Sequence, residues 1–147
     1  MDPVTPRLAD ILDPWLTSYA AERTGRRRDR LLAVGARARA CLDAEVDRIA
    51  TDPELRLIEL EHDAGTEDAA ARTVGADALP TLLILLTTDR WLPADRPDRL
   101  AQLQVLGALG KWMSSPGGPW WASYCDVLTL LVEVDQQREK AHRRVHH

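Results

Sequence analysis

The sequence predicts a mostly α-helical protein, an irregular bundle of five to seven helices packed around residues 80–92. Apolar residues recur at three- and four-residue steps through most of the chain, which is the spacing of one helix face. Proline follows a cap-type residue at several segment starts, where its missing N–H costs nothing. The chain has no Phe, two Tyr and four Ile, so strand-forming residues are scarce.

The first two predicted helices have the clearest signals. Residues 5–25 begin with Thr5 as the cap and Pro6 as the first helical residue, and Gly25 ends the segment. Residues 28–50 form an amphipathic helix whose apolar stripe consists of Leu31, Val34, Ala38, Cys41, Leu42, Val46 and Ile49.

The next region is ambiguous between helix and strand. Asp52, Pro53 and Glu54 have the pattern of a helix start, with a cap, a first-turn proline and a first-turn acid. Residues 56–61, "RLIELE", also fit a short strand. Residues 66–75 then predict a short helix capped by Thr66.

The stretch "GADALPTLLILLTTDRW", residues 75–91, is open to two interpretations. Pro80 could begin an apolar central helix, or it could lead into a buried strand. Periodicity does not separate these interpretations in so short a run. We favour the helix because the neighbouring segments are helical.

Two further helices are predicted near the C-terminus. Residues 97–113 carry an amphipathic stripe, and the loop "SSPGGP" follows them. The final helix, from residue 119 onward, has a predicted apolar side of Trp120, Tyr124, Val127 or Leu128, Leu131 and Val134. The single predicted domain spans residues 1–147, and residues 136–147 are predicted to form a polar tail that projects into water or frays.

Residues 47–86, "DRIATDPELRLIELEHDAGTEDAAARTVGADALPTLLILL", resemble the middle of a thioredoxin-like domain. That family runs helix, strand, helix and then proline before an apolar strand, and Pro80-Thr81 followed by "LLILL" is similar to the last part. The resemblance implies an α/β alternative to the bundle. Because Cys41 has no partner at C-x-x-C spacing, the implied module would lack the redox pair of the family.

Composition limits the classes of function. The N-terminus has no basic run followed by an apolar run, so a cytoplasmic location is expected. The longest apolar run has five residues, which predicts no membrane span. Seventeen arginines against two lysines are typical of a GC-rich, bacterial source.

Charge is separated along the chain although the net charge is only −4. The basic block, residues 23–39, has a net charge of +6, and the acidic block, residues 43–68, has a net charge of −8. In the basic block, Arg26, Arg27, Arg28 and Arg30 form a candidate anion-binding cluster, because guanidinium groups bind phosphate oxygens in pairs. The pI near 5.5 is low for a nucleic-acid-binding domain, so this function is kept as an alternative.

Tryptophan supplies a second candidate surface. The chain has five Trp, and Trp112, Trp120 and Trp121 flank the glycine-rich loop. Tryptophan is enriched at the centres of protein interfaces, so these three are candidate partner-binding residues. Most of the five are expected to fill the core in place of Phe.

The search for catalytic and metal sites gives weaker candidates. Glu139, His142 and His146 lie at helical spacing and could present a carboxylate and two imidazoles to a metal, but a chain end rarely offers the rigid surroundings that a metal site needs. The serines lie in no nucleophile pattern, and no glycine loop has the phosphate-binding spacing. We therefore expect no cofactor.

The resulting functional hypothesis is a small non-catalytic protein that binds another protein, as a regulator, adaptor or accessory subunit. Separated charge blocks favour steered association, and exposed tryptophan favours an anchored contact. The alternatives are a thioredoxin-like module and a nucleic-acid-binding protein that uses Arg26–Arg30.

Overall fold

A computed structural model describes residues 4–145, with side chains placed for residues 4–143. Within that range the chain is helical throughout, with short connections and no β-strand, so the prediction of a mostly α bundle is confirmed. Its helices are α1 (Leu8–Ala20), α2 (Gly25–Ala44), α3 (Val46–Ile49), α4 (Asp52–Asp63), α5 (Ala69–Thr73), α6 (Leu79–Leu85), α7 (Arg96–Ser114) and α8 (Tyr124–Val145), with a 3-10 turn at Ala76–Ala78.

Residues 76–85 of the stretch at 75–91 are helical and central, and residues 86–91 form turns. The 3-10 turn leads into α6, and Pro80 occupies its first turn, as the helical interpretation predicts. The side chains of Leu79, Leu82, Leu83 and Leu86 are almost completely buried. α6 packs against α2 and α8, so its apolar residues are covered on more than one side.

The thioredoxin-like alternative is wrong. Residues 56–61 lie inside α4 and residues 81–85 lie inside α6, so the two segments that the resemblance assigned to strands are both helices. The one extended pairing in the described chain is an isolated bridge between Arg7 and Gly75. At α4 a capping box stabilises the helix start. The Thr51 hydroxyl accepts a hydrogen bond from the Glu54 backbone N–H, and the Glu54 carboxylate accepts one from the Thr51 backbone N–H. This cap and the first-turn proline favour the helix over the strand there.

α7 and α8 form the largest helix pair and run antiparallel. Gly110 of α7 lies beside Leu131, while Gly107 lies beside Val134 and Arg138. A methyl group at Gly110 would come within 2.7 Å of the Leu131 side chain, so glycine permits the two helices to approach closely.

α8 continues as a helix to Val145. Within the segment predicted as a polar tail, Gln137 and Ala141 are buried, and Arg99 donates a hydrogen bond to the Gln137 side chain at 3.3 Å. Across the described residues, every helix is too short or too polar to cross a lipid bilayer.

Candidate functional site

The inward face of α8 is a row of small and medium apolar side chains. Val127, Leu130, Val134 and Ala141 are buried at steps of three, four and seven residues. These steps keep the side chains on one face of a 3.6-residue helix, which packs on α7 and α6. Of the two residues that the sequence left open, Val127 therefore lies on the inward face of α8 and Leu128 does not.

A second apolar row lies on the outward face of α8. Tyr124, Leu128 and Val132 follow one another at four-residue steps along the helix. Trp120, which lies in the turn before α8 and is also exposed, is grouped with them. Their exposed fractions are 68%, 41% and 53%, and that of Trp120 is 60%. At roughly 150–250 Å² for a large side chain, the row exposes about 400 Å² of apolar surface. That area is comparable with the largest apolar patch on a typical monomer, and such patches are often functional.

The three tryptophans predicted to bind a partner have different environments. Trp121 is 9% exposed, and its ring meets the ring of Trp112 edge to face, with the centroids 6.1 Å apart. Trp112 is half-buried and packs against the core. Trp120 alone of the three lies largely in solvent, because neighbouring residues in the turn before α8 point in different directions.

The loop that holds Trp120 is closed by a glycine. The Gly118 N–H donates to the Ser115 carbonyl at 2.8 Å. A Cβ at Gly118 would lie 2.8–2.9 Å from three backbone oxygens, those of Trp112, Met113 and Ser115. Since backbone atoms cannot move aside as a side chain does, glycine is required there, and the loop sets the position of both adjacent tryptophans.

The arginine cluster lies on the first turns of α2. Arg26, Arg27 and Arg28 are exposed and have no ion pair or hydrogen bond with any described residue, whereas Nε of Arg30 lies 3.6 Å from Oδ1 of Asp98. Cations near a helix N-terminus oppose its dipole, at about 0.3–1 kcal/mol each. A shallow groove of 260 Å³ runs from this cluster to α7 and is lined by Arg27, Arg30, Leu31, Pro97, Leu100, Ala101 and Gln104.

The two charge blocks do not neutralise each other in the folded chain. α2 has 20 residues and is therefore about 30 Å long, with the arginine cluster at its start and the acidic block beginning at its end. Among the described residues, Arg39 is the one member of the basic block that pairs with the acidic block, through Asp68 at 3.0 Å. Arg39 also pairs with Asp13 of α1.

The weak metal candidates are not assembled into a site within the described chain. Glu139 forms an ion pair with Arg143 at 3.6 Å on the exposed side of α8, and His142 is also exposed. His146 lies outside the described residues. Over the part of the chain that is described, no group of three His, Cys, Asp or Glu side chains is placed to hold a metal ion.

Sequence reasoning missed a buried polar junction at Gln102. Its side chain is fully buried, and its Nε2 donates to the backbone oxygens of Leu86 at 2.9 Å and Trp91 at 3.1 Å. Its Oε1 accepts from Nε of Arg37 at 2.5 Å, and burial lowers the pKa of that guanidinium. Gln102 lies beside the predicted apolar stripe of α7 and gave no sequence signal, because its partners are distant in the chain. The junction joins α2, α7 and the end of α6.

The two cysteines are in opposite environments. Cys41 is completely buried, and burial together with the nearby Glu45 carboxylate raises the pKa of its thiol to about 12. The thiol is therefore protonated at neutral pH and is a poor nucleophile. The Glu45 carboxylate accepts hydrogen bonds from Arg90 at 2.8 Å and Arg48 at 3.3 Å, so its charge is compensated. Cys125 is exposed near the start of α8.

Comparison with known proteins adds no relative. No protein-family model, no curated protein and no solved structure matches this chain.

Proposed function

We propose that this chain is a non-catalytic protein-binding protein and that the outward row of α8, Trp120, Tyr124, Leu128 and Val132, is the centre of its binding surface. The observation that carries the proposal is the exposure of Tyr124, Leu128 and Val132 at four-residue steps on α8, together with the exposure of Trp120 in the turn before it. The chain's own core does not use this row, because a different face of α8 packs on α6 and α7.

The exposed apolar area of the row is large enough to form the centre of a specific protein interface. A stable interface buries about 800 Å² on each partner, with an apolar centre inside a polar rim. The α8 row, at about 400 Å², would supply such a centre. Trp120 and Tyr124 are of the residue types that most often dominate binding energy.

The chemistry around the row indicates the kind of partner. Asp135, three residues after Val132 and so on the same side of α8 as the row, is exposed and has no ion pair with any described residue. The partner we propose is a different protein whose contact surface is apolar at its centre and carries lysine or arginine at its rim. Opposite charge at the rim would speed association and exclude acidic surfaces.

The test compares capture of partners from extracts of the native cell by three tagged proteins. These are the wild type, the variant Leu128→Ser with Val132→Ser, and a control, Gln136→Ser with Lys140→Ser, which changes two exposed polar residues on the same helix. We expect one protein to be captured by the wild type and the control and lost with the α8 variant. The purified pair should then bind with a Kd at least tenfold weaker for that variant.

Two results would contradict the proposal. Equal capture by all three proteins would place the contact elsewhere on the chain. A dimer seen by light scattering, dissociated by the α8 changes, would assign the row to a second copy of this chain. Thermal unfolding of each variant checks that the fold is kept, since all four changed residues are exposed and each should alter stability by about 0.5 kcal/mol or less.

A further inference from the structure

α4 has a second apolar row that faces solvent. Its residue Ile58 is buried against the core, at 4% exposure. On another side of the helix, Leu57 and Leu60 are 50% and 64% exposed, and Pro53 and Ala64 are exposed as well. Steps of four, three and four residues place these four side chains on one helix face. α4 is thus apolar on two faces and uses one of them in the fold.

The position of α4 is fixed without the outward row. The Thr51–Glu54 capping box begins the helix, and Oε2 of Glu54 also accepts a hydrogen bond from the Gly75 N–H at 2.8 Å. The main helix contact of α4 is with α5. The outward face is therefore preformed, so a partner would not have to order it on binding.

Acidic residues surround this row. Asp52, Glu59 and Asp63 are exposed and have no ion pair with any described residue, and Glu61 accepts a hydrogen bond from the Thr66 hydroxyl at 2.6 Å. Against the five carboxylates of α4 stands one arginine, the exposed Arg56, which has no ion pair with any described residue, so the helix remains net acidic. A nucleic acid or an anionic membrane would be repelled by such a surface.

We infer that α4 is a docking site for a cationic amphipathic helix of another protein. Leucine-type side chains of that helix would pack on Leu57 and Leu60, as in a helix laid on an apolar groove. Its lysines or arginines would pair with Glu59, Glu61 and Asp63. This surface is separate from the α8 row, so the inference goes beyond the proposed function and makes the chain an adaptor with two binding surfaces.

The experiment uses a synthetic probe with a matched control. The probe is a fluorescent 14-residue peptide of leucine and lysine, patterned so that all leucines share one helix face; the control peptide has the same composition with its leucines distributed around the helix. Anisotropy titrations at low salt give Kd for the wild type, for Leu57→Ser with Leu60→Ser, and for the control variant Gln136→Ser with Lys140→Ser, which changes neither apolar row.

The expected result is saturable binding of the amphipathic probe and at least tenfold weaker binding of the control peptide. Leu57→Ser with Leu60→Ser should raise Kd at least tenfold, while the control variant Gln136→Ser with Lys140→Ser leaves Kd unchanged. Raising the salt from about 0.1 to 1 M shortens the screening length from about 10 to 3 Å, so the wild type should bind the amphipathic probe more weakly at high salt. Backbone amide shifts in an NMR titration should be confined to α4 and its neighbours.

Three outcomes would overturn the inference. Equal binding of both peptides would show attraction to net charge only. An unchanged Kd for Leu57→Ser with Leu60→Ser would remove the apolar row from the interaction. Absence of binding at low salt would remove the site altogether. Because the control variant changes neither apolar row, and the NMR shifts locate the bound peptide, either binding surface can fail in its own experiment without affecting the other.

Discussion

Replacing Gln102 with leucine tests whether the buried junction holds three helices together. The substitution keeps the volume roughly constant and removes all three hydrogen bonds of the side chain, two to backbone oxygens and one from Arg37. Each neutral bond contributes about 1 kcal/mol, and the bond from the charged guanidinium about 1.5–3 kcal/mol. The carbonyls of Leu86 and Trp91 would also lose their side-chain donor, so the expected loss is about 4 kcal/mol.

That loss is a large part of the 5–15 kcal/mol by which a typical domain is stable. Denaturation in urea, followed by circular dichroism and tryptophan fluorescence, measures the free energy of unfolding. The control is Gln136→Leu, the same change at an exposed position of α8, which should alter stability by about 0.5 kcal/mol or less. In a double-mutant cycle, Arg37→Met and Gln102→Leu should show a coupling of about 1.5–3 kcal/mol. A loss below about 1 kcal/mol for Gln102→Leu would refute the reasoning.

Four further predictions concern the cysteines, two glycines and the arginine cluster. A thiol reagent at neutral pH should label Cys125 quickly and Cys41 only after unfolding, and equal labelling rates would contradict the burial of Cys41. The pKa of the Cys41 thiol is raised to about 12 in the folded chain, so its contribution to stability is complete below the ordinary thiol pKa and is lost as the pH rises from there toward 12. The stability advantage of the wild type over Cys41→Ala should therefore shrink by about 1.4 kcal/mol per pH unit from about pH 9 upward. Urea titrations at several pH values measure this difference. Gly118→Ala should cost about 1–3 kcal/mol in thermal unfolding because its Cβ meets backbone oxygens, whereas Gly110→Ala should cost less because its Cβ meets the movable end of a leucine. A mixed-sequence oligonucleotide at low salt should show no binding that depends on Arg26–Arg28, given the net charge of −4; binding that weakens steeply with salt and is lost when these arginines become alanine would support the nucleic-acid alternative.

The helical character of α2, α4 and α6 could be predicted from local signals. In α2 the stripe from Leu31 to Leu42 follows the helix period, and its residues are buried as predicted. α4 was ambiguous in the sequence, and its capping box outweighed the strand-like run that follows it. α6 was also ambiguous, since the five-residue apolar run that begins at Leu82 fits either structure, and the helical neighbours favoured the helix.

The faces of α8 could not be predicted in the same way. Its first half has apolar residues around most of its circumference, so the 3.6-residue period fits more than one inward row. The predicted apolar side combined Tyr124, which is exposed, with Val134, which is buried. The orientation depends on where Gly107 and Gly110 of α7 allow α8 to approach, and that is a property of the packed pair of helices, which the residues of α8 alone do not carry.

The sequence by itself predicted which segments are helical, because caps, prolines and apolar spacing act within a few residues of one another. Several predicted ends were wrong: α1 is Leu8–Ala20 and does not extend from Thr5 to Gly25, and the predicted helix at residues 28–50 divides into α2 and α3. The short helix predicted to be capped by Thr66 begins at Ala69, after Asp68. Only the tertiary structure decided which apolar side chains remain in solvent, which arginines stay unpaired and which glutamine becomes a buried junction. These outcomes depend on the relative placement of whole helices, and each helix settles where the sum of its contacts is most favourable. The outward rows of α4 and α8, on which both binding proposals rest, belong to this second kind.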